Sequence, residues 1–434
     1  MVLDEMAARD RPATSPAVES AGLKQAAESL PGGAALVAYV EYRSLRPGRD
    51  GSAERYLAFV MRPGAPPAVV PLGSASRIDA LVRDWHVEAG TDPRVDPSRR
   101  GLDRYREAGR LLREAIWDPL ASHVGDRDYV FIVPDGAIHL VSLAALPAAG
   151  DRYLIEGAAR LHYLSAERDL AVPHGSRDWG HGVLAIGGAD FDAAPDVTQV
   201  PDREATPACR TFESMRFDPL PGSKDEAEEV ASLWRSRGDV QILAGSGARE
   251  AAFKLLAPGR RILHLATHGY SLQGPCLSEL AQPGAPGTGD VVGDNPLLLS
   301  GLALAGANRR GEGIEDGILT AKEIGALDLS GVEWAVLSGC DTGTGTVVQG
   351  EGVLGLRRAF QVAGAATLIM SLWPVDDGAA RLWMRHLYEA RLAGKSTVAS
   401  VNDASLEMLH EQRRLRRSTH PYYWGAFVAA GDWR

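Results

Sequence analysis

Cysteine is scarce in this chain: Cys209, Cys276 and Cys340 are the only three among 434 residues. An odd number with no C-x-x-C spacing argues against a disulfide framework and a cysteine-type zinc site, and it fits a reducing compartment. Long apolar runs are missing too. Nowhere do about 18 consecutive apolar residues occur, which argues against a membrane span. Met1 to Glu28 contains no basic stretch followed by an apolar core, so no secretory leader is visible and a cytoplasmic location is expected. Positive charge is in deficit, with a formal net charge of -10. Non-specific binding to nucleic acid is therefore not the expectation. No repeat recurs at solenoid periods either.

What the chain does contain is an alternation of short apolar runs with amphipathic helical stretches. Residues 1 to 33 are rich in Ala, Ser, Pro and Glu and read as a flexible or helical lead-in. Leu36 to Tyr42 and Arg55 to Met61 read as a hairpin, with Ala68 to Leu72 as an edge strand because of Pro71. Helices are expected from Ser76 to Trp85 and from Leu102 to Ile116. Tyr129 to Val133 reads as a buried strand stopped by Pro134-Asp135-Gly136, and Ile138 to Leu146 as a segment leading across the sheet. Composition turns Gly/His/Asp-rich near residues 173 to 182, a linker signal. From Gly182 onward, strands and helices alternate, which implies an open, mostly parallel sheet covered by helices on both faces. The expected division is 1–33 as lead-in, 34–175 as an N-terminal α/β unit and 176–434 as a second α/β unit.

Two of the apolar runs end on chemistry. Arg261 to Thr267 closes on His268-Gly269, and Trp334 to Leu337 closes on Ser338-Gly339-Cys340 followed by a Gly/Thr-rich loop. Open α/β sheets place ligands at the carboxyl ends of their strands. A Cys and a His on neighbouring strands would lie roughly 5 Å apart across the sheet. A thiol attacks as thiolate, and a nearby imidazole favours that anion. Gly269 and Gly339 allow close approach of a substrate backbone. The N–H groups of Gly269 and Cys340 could face an oxyanion, a contribution typically of about 10²–10³ in rate per donor. The bland alternative is a structural cysteine beside a core histidine.

Five segments together resemble one known family. They are His-Leu-Ala-Thr-His-Gly (264–269), Leu-Ser-Gly-Cys-Asp-Thr-Gly (337–343), Gly-Glu-Gly-Val-Leu-Gly-Leu-Arg-Arg-Ala-Phe (350–360), Ser-Leu-Trp-Pro-Val-Asp-Asp (371–377) and His-Pro-Tyr-Tyr-Trp-Gly-Ala-Phe (420–427). They resemble the CHAT family, caspase-like domains often found beside tetratricopeptide (TPR) repeats and related to caspases and separase. The likeness runs nearly continuously from Pro221 onward and more loosely back through Val133 to Leu140 to the hairpin. It implies a caspase/hemoglobinase-like fold in residues 176–434, with a degenerate pseudo-caspase-like unit before it. It also implies peptide hydrolysis by a Cys340–His268 dyad, with no cofactor and no metal. The usual TPR array is missing, so a regulatory protein partner of TPR or other type is expected, alongside a protein substrate.

Trp373, Asp376 and Asp377 follow the strand after Cys340, and with Ser338 and Gly339 they are expected to line the substrate site. The segment resembles the separase stretch whose acid receives a P1 arginine, so cleavage after Arg or Lys is expected. A helix N-cap is the structural alternative for either Asp. Gly350 to Gly355 spells G-x-G-x-x-G, but a loop separates it from its strand, so loop and helix-packing glycines are the preferred reading over nucleotide binding. His264 and His268 are four apart without the glutamate of H-E-x-x-H, and His264 reads as a core or supporting histidine rather than a zinc ligand. Glu351 and Arg357 could support the loop. The stretches 190–221 and 271–296 read as exposed loops open to gating or autocleavage. Two rival functions stand beside the peptidase: a non-hydrolytic peptide-binding module and a nucleotide-binding domain.

Overall fold

The computed structural model describes residues 23–44, 53–95, 100–171, 177–194, 215–271, 297, 300–309, 316–339 and 351–434. In chain order its helices are α1 (Leu23–Glu28), α2 (Ala75–Gly90), α3 (Arg100–Ile116), α4 (Ala121–Val124), α5 (Pro221–Trp234), α6 (Glu250–Leu256), α7 (Ala321–Gly325), α8 (Glu351–Val362), α9 (Asp377–Leu392) and α10 (Thr397–Arg414). The strands of the main sheet are β1 (Ala34–Ser44), β2 (Ala53–Met61), β3 (Ala68–Ser74), β4 (Tyr129–Val133), β5 (Arg160–Tyr163), β6 (Val183–Ala189), β7 (Val240–Gly245), β8 (Ile262–Ala266), β12 (Trp334–Leu337), β13 (Thr367–Ser371) and β14 (Phe427–Gly431). Three short strands, β9 (Gly269–Ser271), β10 (Ser300–Ala303) and β11 (Ile318–Thr320), form a separate antiparallel sheet.

The main sheet has eleven strands in the order β3-β2-β1-β4-β5-β14-β13-β12-β8-β6-β7. Residue patterns explain which strands sit where. From Arg55 to Val60, β2 alternates half-buried and buried residues, as an antiparallel strand with one face less covered than the other does. β8, β12, β13 and β14 are buried along their whole length, so both of their faces are covered. Connections from β6 through β13 are parallel, and β14 returns antiparallel beside β13. The expected mixed α/β fold with a mostly parallel, helix-flanked sheet is the one observed.

The sheet runs unbroken through both halves of the chain, and the seam lies between β5 and β14. Only Ala430 and Tyr163 pair in register there. Packing supplies the rest: His162 Nε2 donates to the Gly431 carbonyl at 2.9 Å, and Tyr153 Oη donates to the Thr419 carbonyl at 2.8 Å. Arg413 pairs with Glu156 at 2.5 Å. One core cluster reaches from Tyr39 in β1 to Trp424 before β14. A smaller cluster on α1, β1 and β4 includes Leu30, Leu36 and Phe131.

Two local expectations differ from the fold. Ile138 to Leu146 does not lead across the sheet; the region forms two tight 3-10 turns, Gly136–Leu140 and Leu143–Ala145. Asp135 accounts for the first, because its side chain accepts from the Gly136 N–H at 2.9 Å and from the Glu41 N–H at 2.8 Å. α2 begins at Ala75, one residue ahead of the expected Ser76 cap. No helix among the described residues is long and apolar enough to cross a membrane.

Candidate active site

β8 and β12 lie side by side and parallel, with Ile262 opposite Trp334 and Leu265 opposite Leu337. Their pairing continues past the last regular residue. Ser338 N–H donates to the Leu265 carbonyl at 3.0 Å, and Gly269 N–H donates to the Gly339 carbonyl at 3.1 Å. Between these bonds the backbones touch. A Cβ on Gly339 would lie 2.1 Å from the Thr267 carbonyl oxygen, so only glycine fits. Thr267 cannot retreat freely, because its hydroxyl donates to the Ala303 carbonyl at 2.5 Å. The carboxyl ends of the two strands are therefore clamped together at Thr267, His268 and Gly339. Cys340 follows Gly339 directly in the chain and, like Cys209 and Cys276, lies outside the described residues.

His268 is 5 % exposed and held from several sides. Its backbone carbonyl accepts from Ala303 N–H at 2.9 Å. Its ring lies 5.2 Å from that of Phe191 and 5.7 Å from that of Phe217, centroid to centroid. Nε2 is 2.8 Å from the Asp218 carbonyl oxygen. A carbonyl only accepts, so Nε2 carries the proton in that bond and Nδ1 bears the lone pair of the neutral ring. The Asn308 side chain fixes the donor loop: Oδ1 accepts from Phe217 N–H at 2.9 Å, and Nδ2 donates to the Phe217 carbonyl at 3.0 Å. The described ends of the stretch 190–221 thus pack on His268 through Phe191, Phe217 and Asp218. None of these, nor Asn308, was singled out in the sequence, since a backbone carbonyl has no signature there.

The remaining sequence-nominated residues divide. Ser338 is buried beside Gly339. Trp373, expected to line the substrate site, is instead an interior residue, 1 % exposed. It stands edge-on to Trp85 of α2, with centroids 5.6 Å apart at 87°, and also meets His86 at 6.2 Å. Its apolar ring therefore joins the two halves of the chain. Asp376 is the N-cap of α9, accepting from Ala379 N–H at 3.1 Å, and its other oxygen lies 2.9 Å from Arg94 Nη2. The neighbouring Asp377 is exposed. The Gly269 N–H, expected to face an oxyanion, is donated to Gly339 as described.

His264 is fully buried, with Nδ1 3.2 Å from Tyr388 Oη and Nε2 3.0 Å from Glu226 Oε1, the latter out of line for a hydrogen bond. It is a core histidine between α5 and α9. Arg357 of α8 is buried and donates to Ser165 Oγ across the seam, through Nη2 at 3.1 Å; burial lowers its pKa to about 10. Among the described residues no group of three or more His, Cys, Asp or Glu side chains could hold a metal. Gly350 lies outside the described residues, and α8 begins at Glu351.

The family model described as CHAT domain matches residues 106–432. Tetratricopeptide repeat protein 28 of Homo sapiens is 25 % identical over 318 residues, covering 71 % of this chain and 12 % of the human protein. Its Mus musculus counterpart is 25 % identical over 317 residues, again covering 71 % and 12 %. The chain thus spans only about an eighth of the curated relatives it matches. Among solved structures, the Saccharomyces cerevisiae separase–securin complex aligns with a TM-score of 0.50 at 8 % identity, over 94 % of this chain and 30 % of that one. The Arg-specific cysteine proteinase gingipain R aligns with a TM-score of 0.42 at 10 % identity, over 82 % and 74 %. At such identities the likeness to separase concerns the fold.

Proposed function

Because the chain belongs to the CHAT domain family, we propose that it is a cysteine endopeptidase in which Cys340 is the nucleophile and His268 the general base. The observation carrying this reading is the seating of His268. Its Nε2 is committed to the Asp218 carbonyl at 2.8 Å, at the end of the strand adjoining the one that leads into Cys340. In the proposed reaction, Nδ1 takes the Cys340 thiol proton as Sγ attacks the scissile carbonyl. The Asp218 carbonyl stabilises the resulting imidazolium. His268 then returns the proton to the leaving amine, and water hydrolyses the acyl-enzyme by the same route.

The Gly269 amide can serve the developing oxyanion only by exchanging its bond to Gly339, so the described arrangement corresponds to a resting form. The P1 residue is assigned as Arg or Lys, with Asp377 or Asp376 as its acceptor, Asp377 being exposed and Asp376 also meeting Ala379 and Arg94. The division near residue 175 separates a supporting unit from the peptidase unit. The TPR context of the curated relatives supports a regulatory protein partner, and the three scattered cysteines support work in a reducing compartment.

Fluorogenic peptides varied at P1 test the reading. Wild type should cleave after Arg or Lys, Cys340→Ala should be inactive, and replacing the acceptor, by Asp377→Asn or Asp376→Asn, should raise KM for basic P1. Peptide binding without cleavage, and no labelling of Cys340 by a peptidyl electrophile, would support the non-hydrolytic module instead.

A further inference from the structure

At the other end of the same strands lies a cavity of about 450 Å³. Its lining includes the residues that precede β6 and β8, so it lies at the opposite end of those strands from His268. Seven residues of β8 and its flanks separate Arg261 from His268, about 23 Å at strand rise. Arg237, Arg261 and Arg391 line the cavity, with His181 at its mouth and Trp234 and Leu392 as apolar wall.

The charges there do not balance. Glu333, buried just before β12, is in contact with two of these guanidinium groups, those of Arg261 and Arg391. Its Oε2 lies 2.5 Å from Arg261 Nε, and its Oε1 contacts Arg391 Nη2. Arg391 is further held by the Lys395 carbonyl at 2.8 Å and by the Trp334 ring, 5.4 Å from its Cζ. Arg237 donates one Nη2 bond to the Leu392 carbonyl at 3.0 Å. Asp432 acts on Arg391 from further off and is itself paired with Arg434 at 3.4 Å. Two of the three cations thus share one contacting carboxylate, and the third, Arg237, pairs with no carboxylate among the described residues. Burial lowers the pKa of both Arg261 and Arg391, and Arg261 lowers Arg391 further, so both cations lack solvation that an anion would replace. Arg261 spends only Nε on Glu333; its Nη groups have no hydrogen-bond partner among the described residues.

We propose that this cavity is a binding site for a small organic phosphate, its phosphate held by Arg237 and Arg261 beside Arg391 and its organic body lying against Trp234 and Leu392. Guanidinium forks match phosphate oxygens in pairs. The volume falls in the ordinary range of small-molecule sites and far exceeds one phosphate, so the ligand has a body as well as a charge.

Isothermal titration of the full chain at constant ionic strength tests the site, with ADP, adenosine and inorganic pyrophosphate as probes. ADP should bind saturably, pyrophosphate more weakly at the same site, and adenosine not at all. Arg237→Ala, an exposed position whose loss leaves the fold intact, should weaken ADP about tenfold, one charge-assisted hydrogen bond in affinity. Arg261→Gln, which keeps an amide for Glu333, should weaken it at least as much. If Arg261→Gln does not fold, Arg237→Ala remains decisive. The proposal is overturned if ADP fails to saturate below roughly 10 mM, if adenosine binds as well as ADP, if pyrophosphate binds as tightly as ADP, or if Arg237→Ala leaves affinity unchanged.

Discussion

The clamp between β8 and β12 makes Gly339→Ala the most informative single change. The added Cβ would stand 2.1 Å from the Thr267 carbonyl oxygen, 2.7 Å from its carbon and 3.1 Å from its nitrogen. Every one of those atoms is backbone, so no side chain can swing aside. Relief to an ordinary contact needs a separation of roughly 1 Å between the strand ends. That movement stretches two bonds, Ser338 N–H to Leu265 and Gly269 N–H to Gly339, now 3.0 and 3.1 Å. Overpacking costs about 1–3 kcal/mol and each of the two weakened hydrogen bonds about 1 kcal/mol, so the sum is roughly 3–5 kcal/mol. The larger effect should fall on turnover, since a displacement of about 1 Å at reacting groups costs about 10²-fold. Urea denaturation gives the first quantity and hydrolysis of an Arg-P1 peptide the second. Gly32→Ala is the control, because a Cβ there meets nothing within 4 Å. Wild-type stability and wild-type kcat in Gly339→Ala would refute the reasoning.

Three further outcomes follow from packing and charge. Trp373→Ala should lose about 3–5 kcal/mol in urea denaturation, with Trp373→Phe losing much less, because the ring fills the contact with Trp85; a solvent-facing residue would lose almost nothing. Asn308→Ala should lower kcat about 10–100-fold with KM nearly unchanged, since Asn308 positions the loop whose Asp218 carbonyl holds His268; a proportional rise in KM would contradict this. His162 is buried and its pKa is lowered to about 4 by desolvation, so the unfolded chain binds its proton more readily. Its contribution is complete above about pH 6.5 and is lost as pH falls toward 4. At pH 5 wild type should have lost about 2 kcal/mol relative to His162→Gln, compared with pH 7; parallel losses in both proteins would count against it.

Strands β8, β12 and β13 were legible because each is a short apolar run bounded by turn residues, which is what burial on both faces demands. The same runs marked His268 and Gly339 as strand-end residues. Trp373 was misplaced for a physical reason. It stands in a polar turn sequence, Pro374 to Asp377, and only Trp85, far away in the chain, makes its position interior. Asp376 admitted two readings, acceptor or helix cap, and the cap with Arg94 is the one observed. The support behind His268 was invisible, since Asp218 acts through its carbonyl and Asn308 through a contact set by tertiary folding. From Ile138 to Leu146, alternating apolar and small residues suggested a segment crossing the sheet, and the Asp135 side chain turned the backbone ahead of it instead.

The strand that joins the two halves, β14, comes after every other strand in the order of synthesis. Until Phe427 to Gly431 emerge, β5 and β13 each present an open edge, the kind of surface that recruits stray strands. Closure of the main sheet therefore waits on β14. Without Phe427 to Gly431, the contacts of Trp373 with Trp85 and of Arg413 with Glu156 would still hold the halves together while both strand edges stayed open.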